Sequence, residues 1–294
     1  MSLSVLREFA APGAAYRGKP FWAWNGKLEP DELRRQIRAM HRAGLGGFFM
    51  HSRVGLDTAY LSDDWFACVD ACLDEAKQLG MEAWLYDEDR WPSGAAGGLV
   101  TKNPQYRARE LMMDLLPSPK ELTWDDDTLA AFTATVAGSQ ARDVAPIARG
   151  TAPNTLGAGQ VILRFRVQVQ GCSSWYNGYT YLDTLSHEAV RAFITATHDV
   201  YRQRAGKEFG RAVPGIFTDE PNHGHKLGAD NNTFDSRGLP WTATLLTAFT
   251  QRYGYDLLPH LVELVYDVDG QAVTPARYHY HDCVTHLFVD AFSR

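Results

Sequence analysis

PFWAWNGKLEPDELRRQIRAMHRAGLGGFFMHS, residues 20–52, is the stretch whose reading decides the fold. Two short apolar runs, FWAW at 21–24 and GFFM at 47–50, flank one amphipathic segment. Pro30 stands where a first helical turn accepts proline, with Glu29, Asp31 and Glu32 near the positive end of the helix dipole. Leu33, Ile37, Met40 and Gly44 recur at helical spacing, Arg34, Arg35 and Arg38 fall outside the stripe, and Gly44 and Gly46 stop the helix. Strand, helix and second strand in succession predict a parallel α/β unit.

Outward from this unit the pattern repeats. Ser62 is a suitable N-cap, followed by Asp63 and Asp64 in the first turn. Trp65, Val69, Cys72, Leu73 and Ala76 form an apolar stripe, and Gly80 closes the helix. MEAWLY at 81–86 is a third strand. The period then breaks. Between 105 and 170, ARELMMDLL, LAAFTATVA and VILRFRVQVQ read as strands, the last alternating apolar and polar residues. The alternation of strand and helix returns with YTYLD at 179–183, a long helix from Ser186 to about Gly206, and VPGIFT at 213–218. Pro240 opens a helix bearing Leu245, Phe249 and Tyr253, stopped by Gly254, and the last twenty residues read as one more helix. Five parallel strands point to a (β/α)8 TIM-type barrel with an inserted antiparallel β subdomain. Eight strands close such a barrel, so either later strands carry weak signals or the barrel is incomplete at the C-terminus. The expected divisions are 1–104 for the first half of the barrel, 105–175 for the β-rich insertion and 176–294 for the continuation.

Composition narrows the function classes. The chain of 294 residues is 45% hydrophobic and 22% charged, which suits a globular protein. Its net charge of −6 and lack of a basic cluster argue against nucleic acid as a partner. No apolar run is long enough to span a membrane, and the N-terminus lacks the apolar segment of a signal peptide. Cys68, Cys72, Cys172 and Cys283 read as reduced thiols, Cys68 and Cys72 as helix core positions, which suits the cytoplasm; a signal peptide already trimmed would be compatible with secretion. Oligomeric state is not legible.

Parallel barrels gather their chemistry at the C-terminal ends of the strands. There the sequence places Trp24 and Asn25, then His51 and Arg53, then Asp87, Glu88 and Asp89 within YDEDRWPSG at 86–94, then Asp183, then Asp219 and Glu220. Adjacent carboxylates oppose each other's ionisation unless an arginine, a metal or a ligand hydroxyl compensates. Glycosidic cleavage needs one acid to protonate the leaving oxygen and a second carboxylate as base or nucleophile. Glu220, followed by proline at a strand end, is the expected proton donor, and Glu88 is a candidate for the second carboxylate. Asp87, Asp89, Asp183, Asp219, His51, Asn25 and Arg53 are expected to hold sugar hydroxyls, with Trp24 and Trp91 as stacking platforms. A polar capping loop is the structural alternative for 87–89. His223 and His225 form an H-x-H pair, so a metal-dependent barrel hydrolase using them with Asp219 is a second reading. A non-catalytic carbohydrate-binding descendant of an enzyme is a third. His279, His281 and His286 read as surface or packing residues.

The segments PFWAWNGKLEPDELRRQIRAMHRAGLGGFFMHSRVGL, AWLYDEDRWPSGAAGG and FTDEPN together resemble the N-terminal barrel of large bacterial glycoside hydrolases of the α-L-rhamnosidase type, family 106. The resemblance covers roughly residues 20–100 and 175–260. It implies a catalytic barrel interrupted by β-structure, inversion at an α-L-rhamnoside, and calcium near the sugar. It implies Glu220 as general acid, and His51, Asp87, Glu88 and Asp89 as sugar- or cation-binding positions. Members are far longer than this chain, which puts the second catalytic carboxylate beyond Arg294.

Overall fold

The strand–helix–strand unit is present in the computed structural model, which describes residues 8–223 and 238–293. The chain divides into two units. The first comprises the chain up to Lys102, Ser173–Tyr179 and Arg191–Pro221. Its sheet contains β1 (Phe21–Trp24), β2 (Gly47–Ser52), β3 (Glu82–Tyr86) and β8 (Ile216–Phe217) in the order β1-β2-β3-β8, and every pairing is parallel. Helix α1 (Pro30–Arg42) follows β1, and α2 (Asp63–Leu79) follows β2.

The helices begin and end where their residues direct. Pro30 occupies the first turn of α1, with Asp31 and Glu32 beside it. Ser62 caps α2 by accepting from the Trp65 amide, and Gly80 ends it in the left-handed conformation. One face of the sheet, carrying Trp24, Phe48, Met50, Ala83 and Leu85, packs on Leu33 and Ile37 of α1 and Val69, Cys72 and Leu73 of α2. Arg38 of α1 clasps the buried Glu75 of α2 through two bonds of 2.7 and 2.9 Å. The opposite face is aromatic. Phe21 stacks on Phe49 and meets Phe217 edge-on, Phe49 packs against Trp84, and His51 lies edge-on to Tyr86. Phe21 remains 49% exposed.

The second unit comprises Asn103–Cys172, Thr180–Val190 and the chain from Asn222. Strands β4 (Arg109–Leu116), β5 (Thr128–Ala137), β6 (Gln140–Ile147), β7 (Gln160–Val169), β9 (Leu239–Trp241) and β10 (Asp267–Val268) form one sheet in the order β10-β6-β5-β7-β4-β9. Its pairs are antiparallel except β10 on β6. Leu111, Phe132, Leu163 and Phe165 meet Leu245 and Phe249 of α5 (Leu245–Tyr253) and Tyr280, Cys283 and Val284 of α6 (Pro275–Ser293) in its core. Asp114 on β4 is gripped by Arg164 and Arg166 of β7, which holds its carboxyl below the usual carboxylate range even though burial raises it.

Three sequence expectations need correction. Pro240 does not open a helix; it lies within β9, and the helix bearing Phe249 and Tyr253 begins at Leu245. YTYLD at 179–183 is not a strand; Tyr179 and Leu182 make only isolated bridges, to Ser173 and Arg107. The strand expected fifth is therefore the fourth in the parallel sheet, directly beside β3. The long helix after Ser186 is two helices, α3 (His187–Ala196) and α4 (His198–Ala205), separated at Thr197. β6 carries no alternation legible in the sequence, because Ala141 is its one buried residue among polar side chains and Pro146. The three Cys68, Cys72 and Cys283 thiols are buried, Cys172 is exposed, and all four are free. No helix among the described residues is long and apolar enough to cross a membrane.

Gly47 sets the approach of β2 to β3: a Cβ there would lie 2.3 Å from the Glu82 carbonyl oxygen. Gly47→Ala is expected to destabilise the protein by about 1–3 kcal/mol through this overpacking, read as a lower midpoint in urea unfolding.

Candidate active site

The carboxyl end of the parallel sheet brings together segments far apart in the chain. Asp87, Glu88 and Asp89 follow β3 and are all buried. A buried carboxylate is tolerated only with partners, and each of the three has its own set. Asp87 Oδ1 accepts from Ser93 Oγ at 2.5 Å, and Oδ2 accepts from Thr218 Oγ1 at 2.6 Å and lies 2.9 Å from His198 Nε2. Glu88 Oε1 accepts from the Asp89 and Gly97 amides, and Oε2 from the Gly94 and Ala96 amides, at 2.6–2.9 Å. Asp89 Oδ1 accepts from Ser52 Oγ at 2.7 Å, and Oδ2 from Asn177 Nδ2 at 3.0 Å. Burial pushes Glu88 up to about 7, against the four amides, which favour the anion.

These contacts change what the acidic triplet can do. Glu88 is 1% exposed with both oxygens on backbone N–H groups, a geometry that shapes the 94–97 loop and gives no lone pair to a water. It does not suit the base role expected of it. Nor does the triplet fit calcium, which takes about 6–8 oxygen ligands: the oxygens of Asp87 and Glu88 already accept from hydroxyls and amides. Among the described residues no three His, Cys, Asp or Glu side chains converge to hold a metal.

Asp219 and Glu220 lie beyond β8, and His51 and Tyr86 at the ends of β2 and β3 belong to the same end of the sheet. Asp219 Oδ2 accepts from Tyr86 Oη at 2.7 Å, and His51 Nε2 lies 4.0 Å from the same oxygen. Burial, then Asp219, pushes the Tyr86 phenol far above its usual range, so it stays a donor. His51 is 7% exposed, its Nε2 has no hydrogen-bond partner, and burial, aided by Arg53, lowers it to about 4. Glu220 is exposed, and its Oε2 accepts from Trp91 Nε1 at 2.9 Å. Its φ of +44° is left-handed, a conformation that costs a non-glycine residue about 1–2 kcal/mol. Trp91 is itself fixed, since its carbonyl accepts from Trp175 Nε1 at 2.6 Å. Beside the triplet, a cleft of about 300 Å³ is lined by Leu56, Asp57, Tyr60, Asp89, Arg90 and Asn177.

His51, Asp87, Glu88, Asp89, Trp91, Asp219 and Glu220 thus share one end of the first unit. Trp24 differs from expectation: it is buried edge-on between Trp22 and Trp65 and presents no ring face to a ligand. Asn25 and Arg53 are exposed, and the Arg53 amide donates to the Trp24 carbonyl. Asp183 belongs to the second unit, where Thr242 Oγ1 and the Leu185 amide bond its carboxylate and burial pushes it up to about 6. His223 is also in the second unit, against Phe288, and His225 lies outside the described residues. Sequence reading missed Ser93, Thr218, His198 and Asn177. Ser93 had a signal, in the turn after the acids; His198 and Asn177 come from distant segments and had none.

No protein-family model matches the chain, and neither does any curated protein. Among solved structures it is similar to the rhamnosidase from Novosphingobium sp. PP1Y, at a TM-score of 0.58 and 14% identity, over 99% of this chain and 45% of that one. The chain therefore spans less than half the length of that neighbour. The likeness supports a rhamnosidase-like fold and does not extend to membership of family 106.

Two outcomes are expected from the site's geometry. Glu88→Gln turns an NH2 group toward two backbone N–H donors, and a loss of about 2–4 kcal/mol of stability should appear in chemical unfolding. His51, held to about 4, stays neutral in the folded state where an unfolded histidine is charged. Its share of stability is full above about pH 6.5 and is lost as pH falls toward 4. Imidazole NMR should show no titration of His51 between pH 7 and about pH 5.

Proposed function

We propose that this chain carries part of a glycoside hydrolase that cleaves an α-L-rhamnoside-like substrate with inversion, on a (β/α)8 barrel whose first four strands are β1, β2, β3 and β8. The single observation that carries the reading is Glu220: an exposed carboxylate at the end of a parallel strand, in a strained backbone conformation, with one oxygen on the Trp91 indole. Strain at a non-glycine residue concentrates at functional sites. The aromatic face of the sheet adds support for a barrel, because parallel sheets are ordinarily covered on both faces.

In this reading the Trp91 N–H orients the Glu220 carboxyl through Oε2, and the carboxyl carries the proton. Glu220 gives that proton to the glycosidic oxygen as the bond to the anomeric carbon breaks. A second carboxylate takes a proton from the water that attacks the opposite face of the sugar, about 6.5–9.5 Å from the acid. Glu88, with both oxygens on backbone amides, is not that base. His51 Nε2 and Asp219 face the sugar hydroxyls, and the cleft lined by Tyr60, Arg90 and Asn177 receives a neighbouring ring.

Glu220→Gln is the test, with nitrophenyl glycosides, rhamnoside included, as substrates for this chain and for a longer one. Removal of a general acid should lower kcat by about 10²–10⁴-fold while the substrate still binds. Normal turnover by the variant removes Glu220 from the role. Binding of rhamnoside without turnover by either wild-type chain points to a carbohydrate-binding protein instead.

A further inference from the structure

We infer that Asp87 is a positioning residue, which sets the backbone of residues 218–220 and through it the carboxylate of Glu220; the inference rests on the glycosidase reading for its catalytic meaning. Asp87 is fully buried, and it gathers three side chains. Two of them lead to the tail of β8. Thr218 Oγ1 donates directly to Oδ2. Ser93 Oγ donates to Oδ1 and accepts from the Asp219 amide at 2.9 Å, while the Ser93 amide donates to the Asp219 carbonyl at 2.9 Å. The Asp87 amide adds a bond of 3.2 Å to the Phe217 carbonyl.

The tail of β8 has left the sheet by this point, so strand pairing does not hold it. What holds it is this set of bonds, anchored on a carboxylate that has no solvent of its own. Glu220 comes next, in a left-handed conformation that its own side chain disfavours and that precedes Pro221. Such a conformation persists only where its surroundings over-determine it. Thr218 and Ser93 supply that constraint on the N-terminal side, and the Trp91 indole supplies it at the carboxylate. His198 at the start of α4 is the third partner, its Nε2 2.9 Å from the same Oδ2.

The test uses Thr218→Val, which removes one hydroxyl at an exposed position with little change of shape, with Thr218→Ser as the conservative rescue and Ser93→Ala as a second arm. The indole N–H resonance of Trp91, identified with Trp91→Phe, reports the Glu220 contact without any need for turnover; Glu220→Gln calibrates its loss. Thr218→Val and Ser93→Ala are expected to move the Trp91 resonance and leave that of Trp65 in the core in place, while Thr218→Ser matches the wild type. In turnover, kcat should fall about tenfold or more with KM within about twofold, as for loss of an orienting contact. A Trp91 resonance unchanged in both Thr218→Val and Ser93→Ala overturns the inference, as does a moved resonance with unchanged kcat. If the wild type hydrolyses no glycoside, the resonance alone decides the positioning role, and only the glycosidase reading falls.

Discussion

Three carboxylates in a row, buried at the end of one strand, impose the constraint on which the rest of this site depends. Removing Asp87, Glu88 and Asp89 from water costs several kcal/mol each unless donors replace the solvent. Here the partners come from six separate places: Ser52 at the end of β2, the 93–97 turn, Asn177, His198, Thr218 and the Asp89 amide itself. Each carboxylate organises a different neighbour. Asp87 draws in the tail of β8 and the start of α4, Glu88 winds the loop that follows it, and Asp89 joins the end of β2 to Asn177. The acidic run therefore acts as a knot that ties the strand ends together.

That role separates scaffold from chemistry within one cluster. Outside the triplet, His51 has a buried Nε2 with no hydrogen-bond partner, and Glu220 is exposed on the Trp91 indole. Asp219 stands between the two, already holding Tyr86. The side chains at these strand ends lie on short tails with buried anions behind them, the kind of support that functional residues generally need.

The two faces of the parallel sheet show the same economy of design. One is closed by α1 and α2 over a mixed core of aliphatic, thiol and aromatic side chains, Trp24, Phe48, Trp65 and Phe66 among them; the other carries Phe21, Phe49, Trp84, Phe217, His51 and Tyr86 in contact with one another. His51 and Tyr86 belong to this aromatic face, so the candidate site grows directly out of it.

Much was determined by local sequence. The β1–α1–β2–α2–β3 succession was legible because proline, serine and glycine mark helix ends and the apolar spacing switches cleanly between helix and strand; Pro30, Ser62 and Gly80 stand where that chemistry requires. That tails of different parallel strands would come near one another was also legible, as His51 beside Asp219 illustrates, because parallel strands point one way. Tertiary structure alone decided the rest. YTYLD has the composition of a strand, but strand formation needs a partner edge, and β8 took the place beside β3. An apolar stripe says that α5 and α6 bury a face and not which sheet covers it; they pack on the antiparallel one. Above all, an aspartate reads the same whether it meets a sugar or a serine. Only the folded chain, by setting burial and the donors within reach, separated Asp87 and Glu88 as supports from Glu220 as the exposed acid.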